Sequence, residues 1–251
     1  MQQIILETKN LNVWYGKNQI LNNINVSFQK NQITAIIGSS GCGKSTLLKS
    51  LTRTIEEDGG KIDGEIIFEG SSIFGIPQQL LRSNIGMVFQ SPVVFPTSIY
   101  KNMTFAPIYY GIKNKEELDK IVKENLEKAG LYDEVKENMS MLATKLSGGQ
   151  KQRLVIARSL TVNPKIILLD EPCSSLDMKN TNNIEKMLIN LKCEYTIIIV
   201  THNLAQAKRI ADKVIFVDCG NIVEVGTTDE IFSNPKDKRT KEYITYMGNW
   251  N

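Results

Sequence analysis

The 251-residue chain is 41% apolar and 23% charged, with a net charge of +3, enough for one large domain or two small ones with an ordinary core. No apolar stretch approaches the ~20 residues that span a bilayer, Met1–Glu7 lacks the basic start and long apolar core of a signal peptide, and no basic block of the kind a dedicated nucleic-acid binder carries stands out. The scattered cysteines Cys42, Cys173, Cys193 and Cys219 form no CxxC pair and read as reduced thiols of a cytosolic protein, so any membrane role must come through a partner.

No internal repeat or low-complexity linker divides the chain, and residues 1–251 read as one domain with inserted parts. Ile4–Val13 and Ile20–Phe28 alternate loosely around Tyr15-Gly16-Lys17-Asn18, which predicts an antiparallel hairpin, and Gly64–Phe68 offers it a third strand. Ile33–Ile37, Ile166–Leu169, Thr196–Val200 and Val214–Val217 are short, nearly continuous apolar runs, as parallel strands buried on both faces require. Helical patterns at Ser45–Thr54, Gly148–Thr161, Thr181–Leu191 and Leu204–Ile210 separate most of them, and the alternation predicts a doubly wound α/β core. Between about Ser91 and Leu146 the texture changes. Asn114 is placed to cap a helix with Glu117 reaching back, Leu118, Ile121, Val122, Leu126 and Ala129 form its apolar stripe, and Gly130 stops it. Residues 91–147 therefore read as a helical subdomain inserted between core segments 1–90 and 148–251. The basic run Lys236–Lys241 reads as a solvated tail.

Three strand ends carry chemistry. Gly38-Ser39-Ser40-Gly41-Cys42-Gly43-Lys44-Ser45 fits G-x-x-x-x-G-K-[ST] between a strand and a helix that opens near Thr46. Its glycines let the backbone wrap phosphate oxygens while helix-terminal N–H groups face the anion; Lys44 would reach the β- and γ-phosphates and Ser45 would ligate Mg²⁺. Asp170 ends the second run, where a carboxylate can hold Mg²⁺ through its shell, and Glu171 would polarise the attacking water. His202, the only histidine, ends the third, and is expected to contact the γ-phosphate. Leu146-Ser147-Gly148-Gly149-Gln150 adds a capping box and two glycines at a helix start. The glycines are costly there, and their expected use is to leave N–H groups and the Ser147 hydroxyl open to an anion.

With that string the sequence resembles the ATP-binding-cassette (ABC) ATPases along essentially its whole length. The resemblance implies a P-loop core with a parallel sheet, an antiparallel β subdomain and an inserted helical subdomain, with ATP and Mg²⁺ as ligands. It implies that Tyr15 stacks on adenine and that Gln90 senses Mg²⁺ and the membrane partner. It also implies that Asp177, in Ser175-Leu-Asp177, belongs to a loop crossing an interface between two copies, where each Leu146–Gln150 string meets the other copy's ATP. The implied partners are a second copy of the chain and two transmembrane permeases, with an extracytoplasmic solute-binding protein engaged indirectly and no nucleic acid. The implied location is the cytoplasmic face of the membrane. Gly86–Pro92, Phe95–Asn102, Asp170–Asp177, Tyr195–Asn203 and Tyr243–Thr245 are similar to the phosphate-import branch, with an amino acid or another oxyanion as the alternative solute and a soluble ABC ATPase as the alternative class. Met178, where proline is common, and the ending 246–251 depart from that branch. Phe89, Phe95, Ile99 and Tyr100, with Pro92 and Pro96, are expected to form an apolar socket for a permease helix.

Overall fold

The alternation of polar and apolar residues in the first third of the chain becomes a curved antiparallel sheet. In the computed structural model, which describes residues 3–248, strands β1 (Ile4–Tyr15) and β2 (Asn18–Gln29) form a hairpin closed at Gly16-Lys17. After β3 (Ile33–Ile37) and helix α1 (Lys44–Leu51), the strands β4 (Gly60–Phe68) and β5 (Ser71–Ser72) complete the order β2-β1-β4-β5. Helix α2 (Gln78–Asn84) then leads into β6 (Ile85–Val88), a strand too short to stand out in the sequence.

The segment after β6 holds α3 (Ile99–Tyr109), α4 (Lys115–Lys128) and α5 (Tyr132–Val135). Its two ends are zipped together: the Ile99 N–H donates to the Met141 carbonyl and the Ala143 N–H to the Thr97 carbonyl. Asn114 caps α4 by accepting the Glu117 N–H at 3.0 Å. Helix α3 escapes sequence reading because Pro107 lies in its last turn and Phe105, Ile108 and Tyr109 face outward. The chain returns through α6 (Gly148–Leu160), β7 (Ile166–Asp170), α7 (Met178–Leu191), β8 (Thr196–Val200) and α8 (Leu204–Ile210). It ends with the hairpin β9 (Lys213–Asp218) and β10 (Asn221–Thr227), then α9 (Thr228–Ser233) and α10 (Lys238–Gly248). Residues 249–251 of the divergent ending lie outside the described residues.

The second sheet has the order β10-β9-β3-β8-β7-β6, parallel except for β10 at its edge. Every residue of β3, β7 and β8 is buried, and their side chains alternate between two cores. Ile33, Ala35, Ile167, Leu169, Ile197 and Ile199 pack toward the helices of one face. Ile36, Leu168, Ile198 and Val200 pack with α1 and the antiparallel sheet on the other. At about 1.5–3 kcal/mol for each large apolar side chain fully removed from water, these strands hold the three layers together. Among the described residues no helix is long and apolar enough to cross a membrane.

The basic run near the C-terminus is not a loose tail. Glu224 accepts the N–H groups of Lys236 and Asp237 at 2.8 and 3.1 Å, α10 follows, Thr240 is fully buried, and Tyr243 stacks on Phe216 with ring centroids 4.8 Å apart. The charges are solvated as expected while the backbone beneath them is docked. The sequence pattern hid this because only one face of a short helix is apolar.

Gly64, inside β4, lies against the irregular stretch of β1. Its φ is +95°, and an added Cβ would lie 2.3 Å from the Asn10 carbonyl oxygen where β1 bulges. Gly64→Ala is expected to destabilise the protein by about 3 kcal/mol, combining left-handed strain with overpacking against backbone. Unfolding free energies from denaturant titration of the two proteins check this, with a difference under about a third of that value counting against the close approach.

Candidate functional site

Glycine makes the turn after β3 possible. At Gly38 φ is +152° and a Cβ would lie 2.1 Å from the Val217 carbonyl oxygen; at Gly43 φ is +107° and a Cβ would meet Leu21 Cδ2 at 2.7 Å. Lys44 is buried and closes the loop on itself, its Nζ donating to the carbonyls of Gly38 at 2.9 Å and Ser39 at 2.7 Å. Cys42 is buried beside it, and burial pushes its thiol pKa up against the opposing pull of the Lys44 charge.

Ser45 opens α1 outward, and its hydroxyl donates to Asp170 Oδ1 at 2.9 Å. Burial raises the Asp170 carboxyl above its usual range, with the Ser45 hydrogen bond acting in the opposite sense. One residue on, Glu171 has φ +47° and its N–H donates to the Val200 carbonyl at 2.9 Å. A non-glycine residue in that region is strained by roughly 1–3 kcal/mol, and the turn aims the carboxylate out of the sheet edge. There Gln90 Nε2 donates to Glu171 Oε2 at 3.0 Å, and His202 Nδ1 lies 3.1 Å from the same oxygen.

One cleft of ≈ 610 Å³ is lined by Tyr15, Ser40, Gly41, Gly43, Lys44, Ser45, Thr46, Gln90, Glu171 and His202. Gly38, Ser39, Cys42 and Asp170 do not line it. Gly38 and Ser39 hold Lys44 from behind, and Asp170 sits against Ser45. Trp14, the aromatic neighbour of Tyr15, also stays outside the lining, whereas Ile20 joins it. Ile20 went unnoticed in the sequence because it looks like any strand residue; only the hairpin brings it next to Tyr15. The serine hydroxyl, aspartate and glutamine amide are hard oxygen donors that suit Mg²⁺. Among the described residues no cluster of three or more His, Cys, Asp or Glu offers an all-protein metal cage.

The Leu146–Gln150 string and Asp177 are not in this cleft. Ser147 caps α6 with the reciprocal bonds of a capping box, at 3.3 and 3.0 Å. Ser147 and Gly148 are exposed, and a Cβ on Gly148 would meet nothing nearer than 3.9 Å. Gly149 departs from the expectation that both glycines open onto solvent. It is buried, and a Cβ there would lie 2.2 Å from Asn180 Oδ1. Asn180 is itself fixed by Asp177, which caps α7 through bonds of 2.8 Å to the Asn180 N–H and side-chain amide. Gln150 is also occupied, donating to Glu134 at 2.9 Å. Glu134 receives Arg153 at 2.7 Å, and those Arg153 bonds, followed by that from Gln150, hold its carboxyl below the usual range.

The expected apolar socket is only partly present. Phe89 is exposed, but Ile99 is fully buried at the start of α3 and Tyr100 donates its hydroxyl to Asp119 at 2.6 Å. Val93, Phe105, Ile108, Tyr109 and Tyr110 also reach solvent in this region. No periodicity argument distinguishes them, because exposure here depends on which side of α3 faces the core.

Residues 21–174 match the family model described as "ABC transporter". The chain is 50% identical over 246 residues to the phosphate import ATP-binding protein PstB of Borreliella afzelii, covering 97% of this chain and 95% of that one. It is 48% identical over 247 residues to the protein of the same name from Staphylococcus saprophyticus, covering 97% and 85%. Among solved structures, cbiO1 of Clostridium perfringens, part of the ABC transporter complex cbiONQ, superposes with a TM-score of 0.83 at 30% identity over 98% of this chain and 95% of that chain. A bacterial Atm1-family ABC exporter with ATP bound gives 0.82 at 26% identity over 98% of this chain and 42% of its own.

Apart from the His202 imidazole, Tyr15 carries the one aromatic ring among the residues lining the cleft. If it stacks on the base, Tyr15→Ala weakens ATP binding about tenfold while Tyr15→Phe and Tyr15→Trp stay within about threefold of the parent. Equilibrium binding of a fluorescent ATP analogue measures this, and aromatic replacements as weak as alanine would remove the stacking role.

Proposed function

The chain belongs to the ABC transporter ATPase family, and we propose that it is the ATP-hydrolysing subunit of a phosphate importer. The observation that carries the ATPase reading is the meeting of the Gly38–Ser45 loop, the Ser45–Asp170 pair and the Glu171–His202–Gln90 group at one cleft. The solute reading is supported by about 50% identity to phosphate import ATP-binding proteins across 97% of the chain.

In this reading the triphosphate occupies the loop, and Lys44 exchanges its two loop carbonyls for phosphate oxygens. Ser45, Asp170 and Gln90 would hold Mg²⁺, which neutralises charge on the phosphates. Glu171 accepts a proton from water as the water oxygen attacks the γ-phosphorus. The bond to the β–γ bridging oxygen breaks, leaving ADP and inorganic phosphate. His202, sharing the Glu171 oxygen, would contact the γ-phosphate and keep that carboxylate oriented.

The exposed Ser147 and Gly148 suit the nucleotide of a second copy, packed head to tail, with Asp177 in the loop between them. Phe89, Val93, Phe105, Ile108 and Tyr109 give the 89–109 region an apolar outer surface suited to a short helix of a permease. Two such permeases and, through them, an extracytoplasmic solute-binding protein complete the assembly, which keeps this subunit peripheral on the cytoplasmic face of the membrane.

Glu171→Gln is expected to retain ATP binding while lowering kcat roughly 10²–10⁴-fold, since the amide cannot take the proton. Trapped ATP should then hold two chains together, and size-exclusion chromatography that shows a monomer at saturating ATP would refute the head-to-tail pairing. For the solute, depletion of this subunit in the native organism should abolish high-affinity phosphate uptake. Intact uptake with no second copy of the gene would assign the importer to another solute.

A further inference from the structure

The hydrolytic cleft makes no use of a half-buried cation on α6. Arg158 lies in the last turn of that helix, and each of its partners is neutral. Nη2 donates to the Val93 carbonyl at 2.8 Å and Nη1 to Asn102 Oδ1 at 3.2 Å, while the guanidinium sits 4.3 Å from the centroid of the Phe95 ring. Burial lowers its pKa, and among the described residues no ion pair offsets the lost hydration. Such an arrangement is a poor source of stability but a precise way to fix position, because the planar fork and stacking face of arginine define one geometry.

What the fork fixes is the segment that leaves Gln90. Asn102, fully buried, accepts the Phe95 N–H at 2.9 Å and donates to the carbonyls of Phe95 and Ser98 at 3.1 and 3.0 Å. Phe95 also packs against Phe105 of α3 with ring centroids 5.0 Å apart. The 93–98 backbone is thus fastened from inside by Asn102 and joined to α6 by Arg158. At one end of this unit Gln90 touches Glu171. At the other, about 15 Å along a continuous helix, Ser147 and Gly148 stand exposed at the start of α6.

We infer that Arg158 is a positioning residue that clamps the 89–98 segment to α6. Load placed on that segment by a membrane partner then moves Gln90 and the Ser147 end of α6 as one body. The partner in this statement rests on the importer reading given above; the clamp does not.

Two variants test it. Arg158→Lys keeps the charge and loses the fork, and Arg158→Gln loses both, so the lysine variant carries the test if the neutral one fails to fold. Hydrogen exchange should show amides of 93–98 exchanging at least about tenfold faster in the variants, with β7 unchanged. In a complex reconstituted with its permeases, the basal kcat and the KM for ATP should stay within about twofold of the parent. The extra rate evoked by solute-loaded binding protein should fall about tenfold. Unaltered exchange in 93–98, or full stimulation in both variants, overturns the clamp. Basal and stimulated rates falling by one common factor would reduce Arg158 to a structural role and overturn it too. A parent complex that no binding protein stimulates would instead remove the importer reading, and the exchange result would then decide the clamp alone.

Discussion

Ile36 pairs with Val200, and Val200 with Asp170, across three adjacent parallel strands. This register is what the rest of the molecule depends on. A buried parallel strand satisfies its backbone polar groups only through both neighbours, so β3, β8 and β7 cannot slip independently. Their chains therefore leave the sheet at one edge, and Gly38, His202 and Glu171 emerge side by side. An edge of this kind is where open α/β sheets bind ligands.

At that edge the polar groups are bound to one another. Ser45 holds Asp170, Lys44 holds the carbonyls of its own loop, and Glu171 gathers Gln90 and His202 on a single oxygen. For Lys44, a triphosphate would replace two neutral carbonyl acceptors by anionic ones. The left-handed backbone of Glu171, anchored to Val200, keeps the carboxylate at the rim while its neighbour Asp170 stays buried. Two adjacent carboxylates thus receive different surroundings from one turn.

Helix α6 transmits that arrangement away from the cleft. Arg153, nearly buried, binds Glu134 and the Gly130 carbonyl, Gly149 admits Asn180, and Arg158 grips the 89–98 segment. Three surfaces of one short helix are therefore committed to α5, to α7 and to the segment beyond β6. The helix can shift only by carrying all three contacts with it, which gives its exposed first turn a mechanical link to the Gln90 end of the site.

The sequence by itself determined the elements whose cause is local. Continuous apolar runs require strands buried on both faces, and Gly38–Ser45 and Leu146–Gln150 hold glycine and capping residues at spacings with few other uses. Strand β6, helix α3 and the docking of α10 were not legible, because four residues, a helix with proline in its last turn and a half-apolar segment carry too little period. Nor could the string Leu146–Gln150 reveal that Gly149 makes room for Asn180 while Gly148 stays open, since the two glycines are identical until α7 packs beside one of them. The neutral partners of Arg158, the burial of Ile99 and the exposure of Phe89 were likewise decided only by tertiary structure. Periodicity states that a face is apolar, but which neighbour covers it depends on contacts between residues far apart in the chain.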